Sequence, residues 1–163
     1  MAAFLDSTMI DEMDKPASLG NDPLNLIRFV RAQQDVYAEA LKELRSGRKR
    51  SHWMWFIFPQ IAGLGYSETS RFYALKNRAE AAAYLGHPVL GKRLLECAET
   101  VLALEGRSAL DIFGHPDDMK LRSCATLFAS VLTPGSVFDR LVEKYFQGQR
   151  DEKTLVLLGD RSG

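Results

Sequence analysis

The residues with chemistry to offer gather between positions 48 and 67. Arg48, Lys49 and Arg50 run into Ser51 and His52, and both tryptophans, Trp53 and Trp55, follow at once. Pro59-Gln60 and Gly63-Leu64-Gly65 close the run. Cationic groups attract an anion, an indole face stacks a base or takes a cation–π contact, and an imidazole and a carboxamide supply hydrogen bonds. Gly63 and Gly65 permit positive φ and let backbone amides face outward, while Ser67 caps a following helix whose amino end carries partial positive charge. A glycine turn opening on a helix N-terminus beside a basic cluster has the form of an anion site. His52 stands between cations and indoles. Neighbouring charge and burial there favour the neutral imidazole, a base or hydrogen-bond acceptor. Either His52 or Asp118 would be the acid or base, and the reaction this set suits is hydrolysis or glycosyl-bond chemistry on a phosphorylated ligand.

Each feature also has a structural reading. Trp53, Trp55, Phe56, Ile57 and Phe58 form the apolar segment expected to thread the centre of the fold, each side chain contributing roughly 1.5–3 kcal/mol on burial. A basic tripeptide after a helix complements its dipole, and a histidine among indoles serves as a core residue bonded to a carbonyl. Gln33 and Gln34 interrupt the apolar stripe of the first helix, so one of them is expected to bond an irregular loop. Asp118, Arg122 and Ser123 suit the first turns of a helix as well as a cleft.

The elements that must position these residues are helical. Asp22 and Pro23 open a helix carrying Leu26, Val30, Tyr37, Leu41 and Leu44, which Gly47 closes. Asn77 and Glu80 mark a short helix, Ala79 to Leu85. Pro88 starts another with Leu90, Leu94, Cys97 and Val101 on one face. Ser108 with Asp111, Pro116, Ser136 with Asp139, and Asp151 start four more, and His87 and His115 sit beside prolines as caps. Strand-like alternation is almost absent, with residues 53–58 the best strand candidate. The reading is an all-α, single, non-repetitive bundle of about seven to eight helices around an aromatic central segment.

Composition narrows the function classes. With 163 residues, 46% hydrophobic and 26% charged, the chain is one ordinary soluble domain with a core that needs no metal or disulfide. The 21 basic side chains balance 21 acidic ones, against a generic polyanion coat. Residues 1–20 read as a disordered extension of net charge −3, leaving 20 basic and 17 acidic groups on the rest. No apolar run reaches membrane-span length and no basic n-region precedes an apolar stretch, so the expected setting is cytoplasmic, off the membrane. Cys97 and Cys124 read as buried free thiols, and with His52, His87 and His115 they lack metal-ligand spacing, so neither a metal nor a cofactor is expected.

The block from Arg48 to Gln60, followed by Gly63-Leu64-Gly65, strongly resembles the DUF1810 family. More of the same pattern lies in Arg28-Phe29-Val30, Ala83 to Gly91, Ile112-Phe113-Gly114, Lys120 to Ser123 with Thr126-Leu127-Phe128, and Tyr145-Phe146, and the resemblance covers about residues 22–158. It implies a compact, mainly helical domain of the kind called Rv1873-like, with no established activity. The family usually places a second serine after Ser123, where this chain has Cys124. A fainter likeness, in an aromatic block followed by Glu-Ala and a Phe-Gly turn, is to the NADAR family, which acts on ADP-ribose-type groups.

Three functions follow as expectations. The first is a site for a small anionic or nucleotide-like ligand, with Arg48, Lys49 and Arg50 as charge, Trp53 or Trp55 as stacking face, and Ser51, His52, Gln60, Gly63 and Gly65 as its polar and backbone wall. The second is an interaction or oligomerisation module without catalysis, anchored by Met54, Trp55 or Phe58 on a partner or a second copy of the chain. The third, and weakest on so small a charge excess, is nucleic-acid binding through Lys42, Arg45 and Arg48–Arg50.

Overall fold

Leu90, Leu94, Cys97, Ala98 and Val101 recur at helical spacing and are all buried, and the fold is assembled around the helix they define. The computed structural model describes residues 22–161, and their regular structure is ten helices with no strand. In chain order these are α1 (Ile27–Gln34), α2 (Tyr37–Arg45), α3 (Met54–Ile57), α4 (Glu68–Phe72), α5 (Arg78–Gly86), α6 (Leu90–Ala103), α7 (Ala109–Phe113), α8 (Asp117–Ala129), α9 (Val137–Phe146) and α10 (Glu152–Leu157). Two long helices organise the rest. α6 packs on α2, α5 and α9, and α8 packs on α5, α7, α9 and α10. Leu121, Cys124, Ala125, Leu127 and Phe128 fill the interior face of α8. The all-helical class read from the sequence is the observed one, and the extension at residues 1–20 lies outside the described residues.

Two local departures raise the helix number. The long first helix is two, because the chain leaves helical geometry at Asp35 (φ −104°) before resuming at Tyr37. Asp22 does cap it, accepting from the amides of Leu26 (2.7 Å) and Ile27 (2.9 Å), but from a turn ahead of the first helical residue. Residues 53–58 form the single helical turn α3 rather than a strand, and Ile61 makes only an isolated bridge with Leu75. Elsewhere the caps stand where their residue types place them. Asn77, Ser108, Ser136 and Asp151 accept the amides of Glu80, Asp111, Asp139 and Thr154. His87 caps α6 through Nδ1, which accepts from Val89 and Leu90 (3.1 and 3.3 Å).

Both cysteines are free and buried. Burial pushes the Cys97 thiol up to about 12 and the Cys124 thiol well above its ordinary value, so neither is a ready nucleophile. Among the described residues no helix is long and apolar enough to cross a membrane, and no cluster of His, Cys, Asp or Glu suits a metal ion.

Candidate functional site

The segment holding the tryptophans is pinned at two polar points. The first is Glu43 on α2, which lies among the buried Ala40, Leu41 and Leu44 and is only 4% exposed. Its Oε1 accepts from the amides of Arg50 (2.8 Å) and Ser51 (3.1 Å) and from Trp53 Nε1 (2.9 Å), and its Oε2 accepts from Ser51 Oγ (2.6 Å). Burial alone would raise the pKa of this carboxyl. Four donors converging on the charged form overcome it and hold the group at about 2. The second pin is Gln33 on α1, also buried. Its Nε2 donates to the Phe56 carbonyl (2.7 Å) and the Tyr84 hydroxyl (3.1 Å), and its Oε1 accepts from Arg93 (3.3 Å). The sequence leads one to expect a glutamine bonded to an irregular loop; its partner is instead the carbonyl of Phe56 within the single turn α3. Between the two pins the chain makes one helical turn. Trp53, Met54, Ile57 and Phe58 point inward, and Trp55 and Phe56 are left half-buried.

This arrangement separates the residues expected to form one site. Trp53 is fully buried, so it stacks on no ligand, and Ser51 is consumed by Glu43. Lys49 is nearly buried, with Nζ 2.9 Å from Asp117 and 5.1 Å from the centre of the Trp53 ring, which makes it part of the scaffold. His52 is exposed, without the burial its catalytic reading required. Arg48 and Arg50 also stand in solvent, and none of these three side chains has a hydrogen bond or ion pair among the described residues. Asp118 accepts from the Met119 amide (2.8 Å) and lies 3.0 Å from His115 Nδ1, and no hydrogen bond joins it to His52. His115 is thereby a partner of Asp118 rather than a cap. Of the two glycines only Gly63 has positive φ (+105°). Gly65 is needed instead for close approach, since a Cβ there would stand 2.5 Å from that of Ser70. Ser67 does cap α4, taking the Ser70 amide at 3.1 Å, but five residues make too short a helix to carry an anion by its dipole. Met54 and Phe58, two proposed partner anchors, are buried, and Arg45 lies 3.7 Å from Glu96.

Two depressions flank α4. On one side Trp55, Phe56, Phe72 and Tyr73 wall an open groove of about 780 Å³, with Glu68, Thr69 and Arg71 at its edge. Phe72 is 53% exposed and packs edge-on against Tyr73 (4.8 Å between centroids), which in turn meets Phe56 (5.4 Å). Lys120 Nζ sits 4.9 Å from the Trp55 ring centre. A second hollow of about 450 Å³ shares Phe72 and Tyr73 and adds Arg28 and Arg31. Four carbonyl oxygens, of Leu24, Asn25, Phe72 and Ala74, fix Arg28 in place at 2.7–3.1 Å. On the other side of α4, Gln60, Gly65 and Ser70 face Lys120, Asp151 and Lys153 across a smaller cleft of about 240 Å³, whose lining also includes Leu64, Pro116 and Met119. Of the residues singled out in the sequence, Trp55 reaches the groove and Gln60 and Gly65 the cleft. Phe72, Tyr73 and Arg71 escaped notice because a five-residue helix gives no periodicity to read, although adjacent aromatics beside an arginine were visible.

Against known proteins, the model of the DUF1810 family, described as a protein of unknown function, matches residues 23–158. The crystal structure of the conserved hypothetical protein Rv1873 from Mycobacterium tuberculosis, solved at 1.38 Å, is similar over 85% of this chain and 99% of that one, with 49% identity and a TM-score of 0.83. No curated protein matches. The likeness to the NADAR family receives no support from either match.

Proposed function

The chain belongs to the DUF1810 family, and on that premise we propose, from its own geometry, that it is a non-catalytic binding domain whose aromatic groove takes an acidic, apolar segment of a partner protein. The observation that carries this reading is the aromatic wall itself. Most large apolar side chains are buried, yet Trp55, Phe56, Phe72 and Tyr73 are grouped at the surface around one open groove. Contiguous exposed aromatic surface is costly for a protein that meets only water, and aromatic and arginine residues are the usual anchors of interfaces.

Charge supplies the chemistry of the occupant. Arg71 at the groove's edge and Lys120, whose ammonium lies by the Trp55 ring, outnumber the one carboxylate lining the groove, Glu68. A segment with apolar side chains for the rings and carboxylates for these two cations complements both. The groups expected to catalyse are not assembled, since His52 stands in solvent and Asp118 is engaged with His115.

The test is selection from a random peptide library displayed on phage. The expected consensus pairs aromatic or aliphatic residues with Asp or Glu. Phe72→Ser and Trp55→Ala should each weaken a selected peptide by about 2 kcal/mol or more, roughly thirtyfold. Peptides without acidic enrichment, or variants that bind as tightly as wild type, would overturn the reading.

A further inference from the structure

We propose a second, separate site: the cleft between residues 60–70 and the start of α8 binds a sugar phosphate, its phosphate held by Lys120, Lys153, Gln60 and Ser70 and its hydroxyls by Asp151. The inference does not depend on the groove, which lies across α4 and is walled by aromatic rings, none of which lines the cleft.

Donors set the anion. The Gln60 carboxamide lines the cleft with no hydrogen-bond partner among the described residues, so both of its N–H groups are available. Ser70 Oγ accepts from Ser67 Oγ at 2.9 Å, which leaves its own proton free to donate. Lys153 is exposed and has no ion pair among the described residues. Lys120 shares Asp117, 3.4 Å away, with Lys49, which holds that carboxylate more closely at 2.9 Å. Lys120 therefore retains donor capacity toward the cleft, with the Trp55 ring beneath its ammonium fixing its position. Two ammonium groups, a carboxamide and a hydroxyl around one small space match a phosphate dianion, which presents several strong acceptor oxygens.

Asp151 sets the remainder of the ligand. Its Oδ2 takes the Thr154 amide (2.9 Å) and hydroxyl (2.6 Å), whereas Oδ1 has no partner among the described residues. A carboxylate in the wall repels a second anionic group and accepts hydrogen bonds from hydroxyls, which favours a polyol carrying one phosphate over an inorganic anion alone. The volume, about 240 Å³, is roughly that of eight water molecules. It admits a pentose phosphate.

The experiment is calorimetric titration of the full chain with ribose 5-phosphate, inorganic phosphate and ribose, each at millimolar concentration. Ribose 5-phosphate is expected to bind at least about tenfold more tightly than either fragment. Lys153→Met and Gln60→Leu, both at solvent-accessible positions, should each weaken it about tenfold, and Phe72→Ser should leave it unchanged. Thermal unfolding of each variant without ligand verifies that it folds. Absence of binding, or binding that ignores both cleft variants, overturns the site. Equal affinity for inorganic phosphate and ribose 5-phosphate overturns the assignment to a sugar phosphate.

Discussion

Replacing Glu43 by alanine is expected to destabilise the protein by about 3–5 kcal/mol, the cost of removing one partner from a buried charged network. The loss is large because the four hydrogen bonds fail together. Without the carboxylate the amides of Arg50 and Ser51 and the Trp53 indole lose their acceptor, and the loop from 48 to 53 loses its hold on α2. For a domain of this length the midpoint of thermal unfolding should fall by roughly 6–20 °C. Glu43→Gln should fall between variant and wild type, because the amide oxygen still accepts while the amino group meets donors. The carboxyl also carries a pH signature. Its folded value, about 2, lies below its ordinary 4.5, so its contribution is fully present above 4.5 and is lost as the pH falls through 2. Urea unfolding between these limits should show wild type losing stability more steeply than Glu43→Gln. Parallel curves, or a Glu43→Ala variant as stable as wild type, would remove Glu43 from its role.

The second large effect separates the two tryptophans. Trp53→Ala should cost about 3–5 kcal/mol, the range for emptying a buried aromatic site. Trp53 is fully enclosed, packed near Phe58 (6.4 Å between centroids) and bonded to Glu43. Trp55→Ala should cost about 1 kcal/mol or less, since it removes a half-exposed ring and one cation–π contact with Lys120. Chemical denaturation of both variants measures the contrast, and equal losses would mean that Trp55 is core as well. The physical basis is one helical turn between two pins. Glu43 draws Trp53 inward, Gln33 holds the Phe56 carbonyl, and of the two residues between them Met54 turns in and Trp55 is left facing out.

What the sequence disclosed, and what it withheld, follows the range of the interactions. Caps are local, so Asn77, Ser108, Ser136 and Asp151 could be placed from residue type and spacing. The apolar stripe of α6 was equally plain. Gln33 announced itself as an amide on an apolar face. Glu43 did not, because an acid on a helix reads as solvated, and its donors arrive seven to ten residues later in a loop whose path only tertiary packing fixes. The expected binding segment is divided by the fold for the same reason. Composition identifies a basic, aromatic stretch but not which side chains turn inward, so Lys49 and Trp53 went to the scaffold while Trp55 and Gln60 faced depressions on opposite sides of α4. The other walls of those depressions come from α4, α8 and residues 151–153, too far apart in the chain to be joined by inspection.

The most direct test of the central claim, that Trp55 serves recognition while its neighbour serves cohesion, is fluorescence of the Trp53→Phe variant, whose emission comes from Trp55 alone. Titration with a selected acidic peptide should shift that emission to shorter wavelength and shield it from acrylamide as the groove fills. A peptide that binds to saturation while emission and quenching stay as they were would contradict the claim.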